Sequence, residues 1–371
     1  MRRGALHRPM LPSSPYPTLR QCLDGKRNNL DFIRFVAAAG VIFSHAFPLG
    51  QGLGTREPLE DFTRGQVTLG RLCVAVFLVI SGLLITQSYE RSPNLARYSW
   101  ARVLRIFPGL GVVLLASALL LGPALTRLPL GTYFQAPETY LYLLRNFTLY
   151  APQWNLPGVF QGNAYPGAVN GSLWTLKYEV GFYLLVAGLG AARLLRRQVA
   201  LAGWVAAALV PFVPHVGPRL NLWPELYLYF GGGLLLYLFR ERVRLSPWVA
   251  LGCGVALLVT ARLGVGFQHA LGCCGAYLVL YLAFLPSRLA GFARRGDLSY
   301  GVYIYAFPVQ QLVTALMGGH VVWWVNAAVS LPVVVALAAL SWHLVEKRAL
   351  QLKHSPPALL VRLLPGEARA E

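Results

Sequence analysis

The sequence predicts an all-α, polytopic integral-membrane bundle of about ten transmembrane helices, with both termini in the cytoplasm. Of its 371 residues, 56% are hydrophobic and 13% charged, about half the charged share of a soluble domain. Apolar segments near the ~20 residues needed to cross a bilayer recur along the whole chain. The third observation is where the basic residues fall.

The apolar segments lie near 29–49, 70–89, 104–122, 173–192, 199–215, 223–239, 247–262, 268–286, 299–317 and 321–345. With the N-terminus inside, 24 of the 33 Lys and Arg residues fall on inner segments and 7 on outer ones. That is the positive-inside bias. The net charge of +19 therefore orients the chain, its counter-charge is the anionic lipid surface, and nucleic acid is not needed as a partner. Residues 1–28 read as a flexible basic segment without the apolar core of a cleavable signal peptide. Residues 29–348 form the membrane domain and 349–371 a cytoplasmic tail. The five cysteines have no CxxC or zinc-finger spacing and read as free, small hydrophobes.

The outer segment 123–172 breaks the pattern. LYLLRNFTLY near 141–150 is too short and polar for a span, and PQWNLPGVFQGNAYPGAVNG is loop by its turn residues. Its Trp154, Phe160 and Tyr165 suit two roles equally, gripping a sugar ring or sitting at headgroup level.

Polar residues inside spans mark candidate sites, because an arginine at mid-helix costs roughly 2.5–3.5 kcal/mol on insertion scales. Arg34 and His45 share the first span, LDFIRFVAAAGVIFSHAFPL. Glu179, in SLWTLKYEVGFYLL, falls at a depth similar to His45 on another helix. Imidazole and carboxylate together make an acid/base unit, so His45 and Glu179 are the candidate catalytic pair. Lys177 is an alternative partner for Glu179. Arg102 and Arg105, three apart and on one helix face, join Arg34 toward the inner side, where guanidiniums hold phosphate through forked hydrogen bonds. Pro108 kinks their helix or frees backbone groups. Ser81-Gly82 interrupts the second span with small residues that permit close helix approach. The hydrogen-bonding side chains of GDLSYGVYIYAFPVQQ suggest a polar channel. Trp174, Lys177, Tyr300 and Tyr303 are the candidate substrate-binding residues. His343 and Glu346 sit three apart near the last helix end. No metal-ligand spacing, P-loop or dinucleotide fingerprint is present, so neither a metal nor a permanently bound cofactor is expected.

Five motifs then occur in family order: Arg34 with His45, the span from Gly70 to Ile85, RVLRIFP (Arg102 to Pro108), SLWTLKYE (Ser172 to Glu179) and LSYGVYIY (Leu298 to Tyr305). On these the chain resembles the acyltransferase-3 family, integral-membrane O-acyltransferases of the OafA type. The resemblance implies transfer of an acyl group, commonly acetyl, from cytoplasmic acyl-CoA to a hydroxyl of a polysaccharide or lipid-linked glycan, or of a lipid or small metabolite. It implies His45 as the catalytic residue, as base or as acyl carrier, Glu179 as its partner, and Arg34, Arg102 and Arg105 as acyl-CoA contacts. It implies the cytoplasmic (inner) membrane of a bacterium, with polysaccharide assembly machinery as a further partner. Two features depart from the family: Ala306 stands where many members have histidine, so that role is absent or covered by Tyr305 or Gln310, and Glu346-Lys347-Arg348 lacks a following proline. The rival readings are a transporter or flippase of glycan precursors and a non-catalytic partner of a polysaccharide synthase.

Overall fold

The computed structural model describes residues 15–25, 27–92, 94–213 and 218–364. Among these the structure is helical, with only isolated bridges (Thr18 to Arg244, Asn155 to Ala168) and no strand. Each of the ten apolar segments contains a helix. The long elements are α2 (Leu30–Gln51), α4 (Leu69–Arg91), α5 (Leu95–Leu125), α8 (Leu176–Ala191), α9 (Arg197–Leu209), α10 (Pro218–Leu238), α11 (Pro247–Leu263), α12 (Phe267–Ala283), α13 (Ser299–Leu316) and α14 (Trp323–His354). Short helices α1 (Leu19–Asp24), α3 (Pro58–Phe62), α6 (Leu130–Gln135), α7 (Pro137–Phe147) and α15 (Ala358–Leu363) fill the connections. Four helices, α2, α4, α5 and α14, are long and apolar enough to cross a membrane by length and composition.

The bundle is organised around α13, which packs against α14 and α2 and is buried along almost its whole length. The polar groups of this helix bond to neighbouring helices. Gln310 donates to the Ile42 carbonyl and to Asn326 at 2.8 Å each, and Asn326 donates to Thr314 at 3.0 Å. Gln311 donates to the carbonyls of Tyr165 and Ala168. Such pairing is required where no water reaches a buried amide. The expected polar channel is therefore, over much of its length, a hydrogen-bonded spine.

The Ser81-Gly82 interruption permits close approach, as its composition indicates. A Cβ on Gly82 would collide with the Phe230 carbonyl of α10, and one on Gly233 with the Val79 carbonyl of α4. The two backbones touch there, the geometry small residues allow between membrane helices.

Two expectations change. The basic N-terminal segment is not wholly flexible: α1 has a capping box between Thr18 and Gln21, Leu19 is fully buried, and its amide donates to the Val243 carbonyl at 2.8 Å. Backbone pairing and one anchoring leucine fix it, signals too short to register against a Pro- and Arg-rich background. Residues 1–14 and 365–371 lie outside the described residues. The outer segment folds as α6 and α7 followed by an irregular stretch tied to α13, where Asn163 donates to Gln311 and Asn170 to the Ile304 carbonyl. Phe160 is buried there and Tyr165 packs edge-on against Phe307, so only Trp154 is left on the surface.

Gly82→Val and Gly233→Val are each expected to lower the melting temperature of the detergent-solubilised protein by several degrees, the cost of overpacking being about 1–3 kcal/mol. Gly252→Val on α11, where an added Cβ meets nothing within 4 Å, is the control and should leave the melt in place.

Candidate active site

Arg34 stands in the first turns of α2, and His45 follows eleven residues later, about 16 Å along the axis at 1.5 Å per residue. That separation puts them in two chambers. The larger, about 260 Å³, is lined by Arg34, Arg102, Arg105, Glu179, Tyr183, Tyr300, Tyr303 and the apolar face of α4, and at one side by Leu350 and Lys353. The smaller, about 90 Å³, holds His45 with Ser44, Thr68, Arg71, Trp174 and Tyr303. Tyr303 belongs to both walls.

Asp297, which sequence reasoning missed, organises the arginines. Its Oδ2 accepts from Arg34 Nη1 at 2.8 Å and from Arg105 Nη2 at 2.5 Å. Its Oδ1 accepts from the Ser299 hydroxyl at 2.6 Å, so one carboxylate joins α2, α5 and the start of α13. All three charged side chains are 15–19% exposed, and a pair buried that far is costly to break. The sequence signal was available: an aspartate just before the Ser299 helix is the one acid of that segment, but nothing local links it to residues 34 and 105. Glu346, named in the sequence beside His343 near the last helix end, does not line the cavity. It is buried, accepts from Ser341 at 2.9 Å, and leaves its Oε2 unpartnered; no bond joins it to His343 among the described residues.

Arg102 differs from its neighbours. Its guanidinium lies 5.9 and 5.8 Å from the ring centres of Tyr98 and Tyr183, its Nε is buried without a partner, and no carboxylate pairs with it among the described residues. Two of the three expected phosphate ligands are thus held by Asp297, and Arg102 is the one left free of a carboxylate.

The structure corrects the expected His45–Glu179 contact. Glu179 accepts from the Tyr183 hydroxyl and lies 3.5 Å from Ser81 Oγ. The buried Nδ1 of His45 has no partner, and the ring stands edge-on to Phe307 at 5.5 Å. Matching depth on two helices did not bring them together: Glu179 lines the larger cavity and His45 the smaller, and Tyr303 and Val74 line both. Of the other expected residues, Trp174 lines the His45 chamber. Tyr300 and Tyr303 line the large cavity, but their hydroxyls donate to the carbonyls of Ile106 and Ser172 at 2.7 Å each. Lys177 reaches neither chamber: its ammonium sits 4.9 Å from the Tyr178 ring centre, and it makes no ion pair with Glu179 among the described residues. Ala306 is fully buried; Gln310, a turn on, anchors the carbonyl of Ile42 three residues before His45.

Compared with known proteins, residues 27–343 match a family model described as an acyltransferase domain. The chain belongs to the acyltransferase-3 family. It is a membrane acyltransferase of the O-acetyltransferase kind. This acyltransferase is 31% identical over 362 residues to nodulation protein 10 of Rhizobium leguminosarum bv. viciae, covering 89% of this chain and 95% of that one. It is 30% identical over 336 residues to an O-acetyl transferase of Shigella phage Sf6, covering 88% of this chain and 96% of that one. No solved structure matches it.

Asp297→Asn keeps the shape of the side chain while removing the charge shared by Arg34 and Arg105, with only the longer 3.9 Å contact to Asp31 left to Arg34. It is expected to destabilise the acyltransferase by about 3–5 kcal/mol, read as a large drop in melting temperature in detergent. Asp24→Asn, which breaks the exposed Arg20 pair, should cost under about 1 kcal/mol.

Proposed function

We propose that this acyltransferase transfers an acetyl group from acetyl-CoA to a hydroxyl of a cell-surface or exported polysaccharide, or of its lipid-linked precursor, in the cytoplasmic membrane of a bacterium. Ten spans with both termini inside fit the distribution of basic residues. The reading rests on one observation: a cavity lined by Arg34, Arg102 and Arg105 shares the Tyr303 wall with the chamber that holds His45.

Donor phosphates pair with Arg102, which has no carboxylate partner among the described residues and a buried Nε without a hydrogen bond. Arg34 and Arg105, held rigid by Asp297, shape the positive wall behind it. The apolar face of α4 contacts the pantetheine arm, and the thioester reaches toward Tyr303. On the acceptor side, His45 takes the hydroxyl proton as the oxygen attacks the thioester carbonyl carbon. The C–O bond forms, the C–S bond breaks, and the imidazolium returns its proton to the departing thiolate. Glu179 acts as a nearby counter-charge to the imidazolium rather than through a hydrogen bond to it. Trp174, beside His45, offers a flat apolar face to a sugar ring.

Loss of a general base costs about 10²–10⁴ in rate. Cells carrying His45→Ala, with the protein still present in the membrane, are expected to release at least about 100-fold less acetate from their surface glycan on mild alkaline treatment. Unchanged ester content in those cells, alongside loss in cells lacking the chain, overturns the reading.

A further inference from the structure

The cavity is completed by residues beyond the stretch that carries the family match. That match ends at residue 343, yet Leu350 and Lys353 line the cavity. They are brought there because α14 runs on through a π-turn, Trp342–Glu346, and its last turns pack against α5. The Trp100 indole N–H donates to the Leu352 carbonyl at 3.0 Å, fixing the residue next to Lys353 against α5, and α15 packs on the same helix.

Four cations line the cavity. Arg34 and Arg105 are paired with Asp297; Arg102 and Lys353 have no carboxylate partner among the described residues. The two differ in position. Arg102 has a buried Nε, whereas Lys353 is exposed to solvent. In a coenzyme A thioester the diphosphate follows the pantetheine arm, and the ribose 3′-phosphate lies farther from the thioester. A donor entering thioester first therefore leaves its 3′-phosphate outermost. The geometry points to Lys353 as a specificity-determining residue that binds the ribose 3′-phosphate of the donor, with Arg102 holding the diphosphate deeper in. This assignment rests on acetyl-CoA being the donor.

The test compares acetyl-CoA with 3′-dephospho-acetyl-CoA on the full-length enzyme in detergent, following acetyl transfer or donor-dependent thiol release. The wild type is expected to show a KM roughly fivefold higher for the dephospho donor, the scale of one solvent-facing charge contact. Lys353→Ala should bring that ratio close to one by raising KM for acetyl-CoA, with a smaller change in kcat. Lys353→Arg should restore most of the discrimination, which a merely structural role for the segment would not require. Arg102→Ala should raise KM for both donors and preserve the ratio. A Lys353→Ala enzyme that discriminates as the wild type does, or a wild type that uses both donors equally, overturns the assignment to Lys353 while leaving acetyl-CoA as donor intact. A wild type that uses neither donor overturns the donor reading and this assignment with it.

Discussion

Two guanidiniums cannot be taken out of water without a counter-charge, and the bundle is arranged to bring them the same one. Asp297 binds Arg34 of α2 and Arg105 of α5 while its other oxygen receives the Ser299 hydroxyl at the head of α13. Three helices remote in sequence are thereby tied at one point. The low dielectric that makes an isolated buried charge expensive also makes this cluster stiff. Of the cations lining the large cavity it takes up Arg34 and Arg105; Arg102 and Lys353 have no carboxylate partner among the described residues.

From that knot α13 carries the constraint across the bundle. Tyr300 and Tyr303 brace it against α5 and the turn before α8, and Gln310 and Gln311 bind α2 and the irregular outer segment. Each of these groups would be unsatisfied if its helix moved, so the same bonds that stabilise the fold hold Tyr303 between the two chambers. The separation of the two chambers is thus a product of helix packing. It places the His45 imidazole in one chamber and Arg34, Arg102 and Arg105 in the other.

Much of this was legible in the chain. Arg34, Arg102, Arg105, Glu179, Tyr300 and Tyr303 do line one cavity, and His45 with Trp174 the next, because charged and polar side chains inside apolar segments have few other places to go. Gly82 reads correctly as a packing residue for the same kind of reason. Asp297 was not legible, since an acid near a helix start looks like an ordinary cap until its long-range partners are known. Lys177 looked like a companion of Glu179 two residues away, but residues two apart on a helix point to different sides, and it turned to Tyr178.

The sequence by itself determined the class of the molecule: its hydropathy demands helices, its basic residues bias their direction, and its ordered motifs name the family. Only the tertiary structure decided which polar groups meet. Depth along a helix is set by residue number, because the rise per residue is constant. Facing is set by rotation and by what packs between, and neither can be read from one segment alone. The division of Glu179 and His45 between two chambers, and the packing that sets Lys353 beside the cavity along α5, are decisions of that second kind.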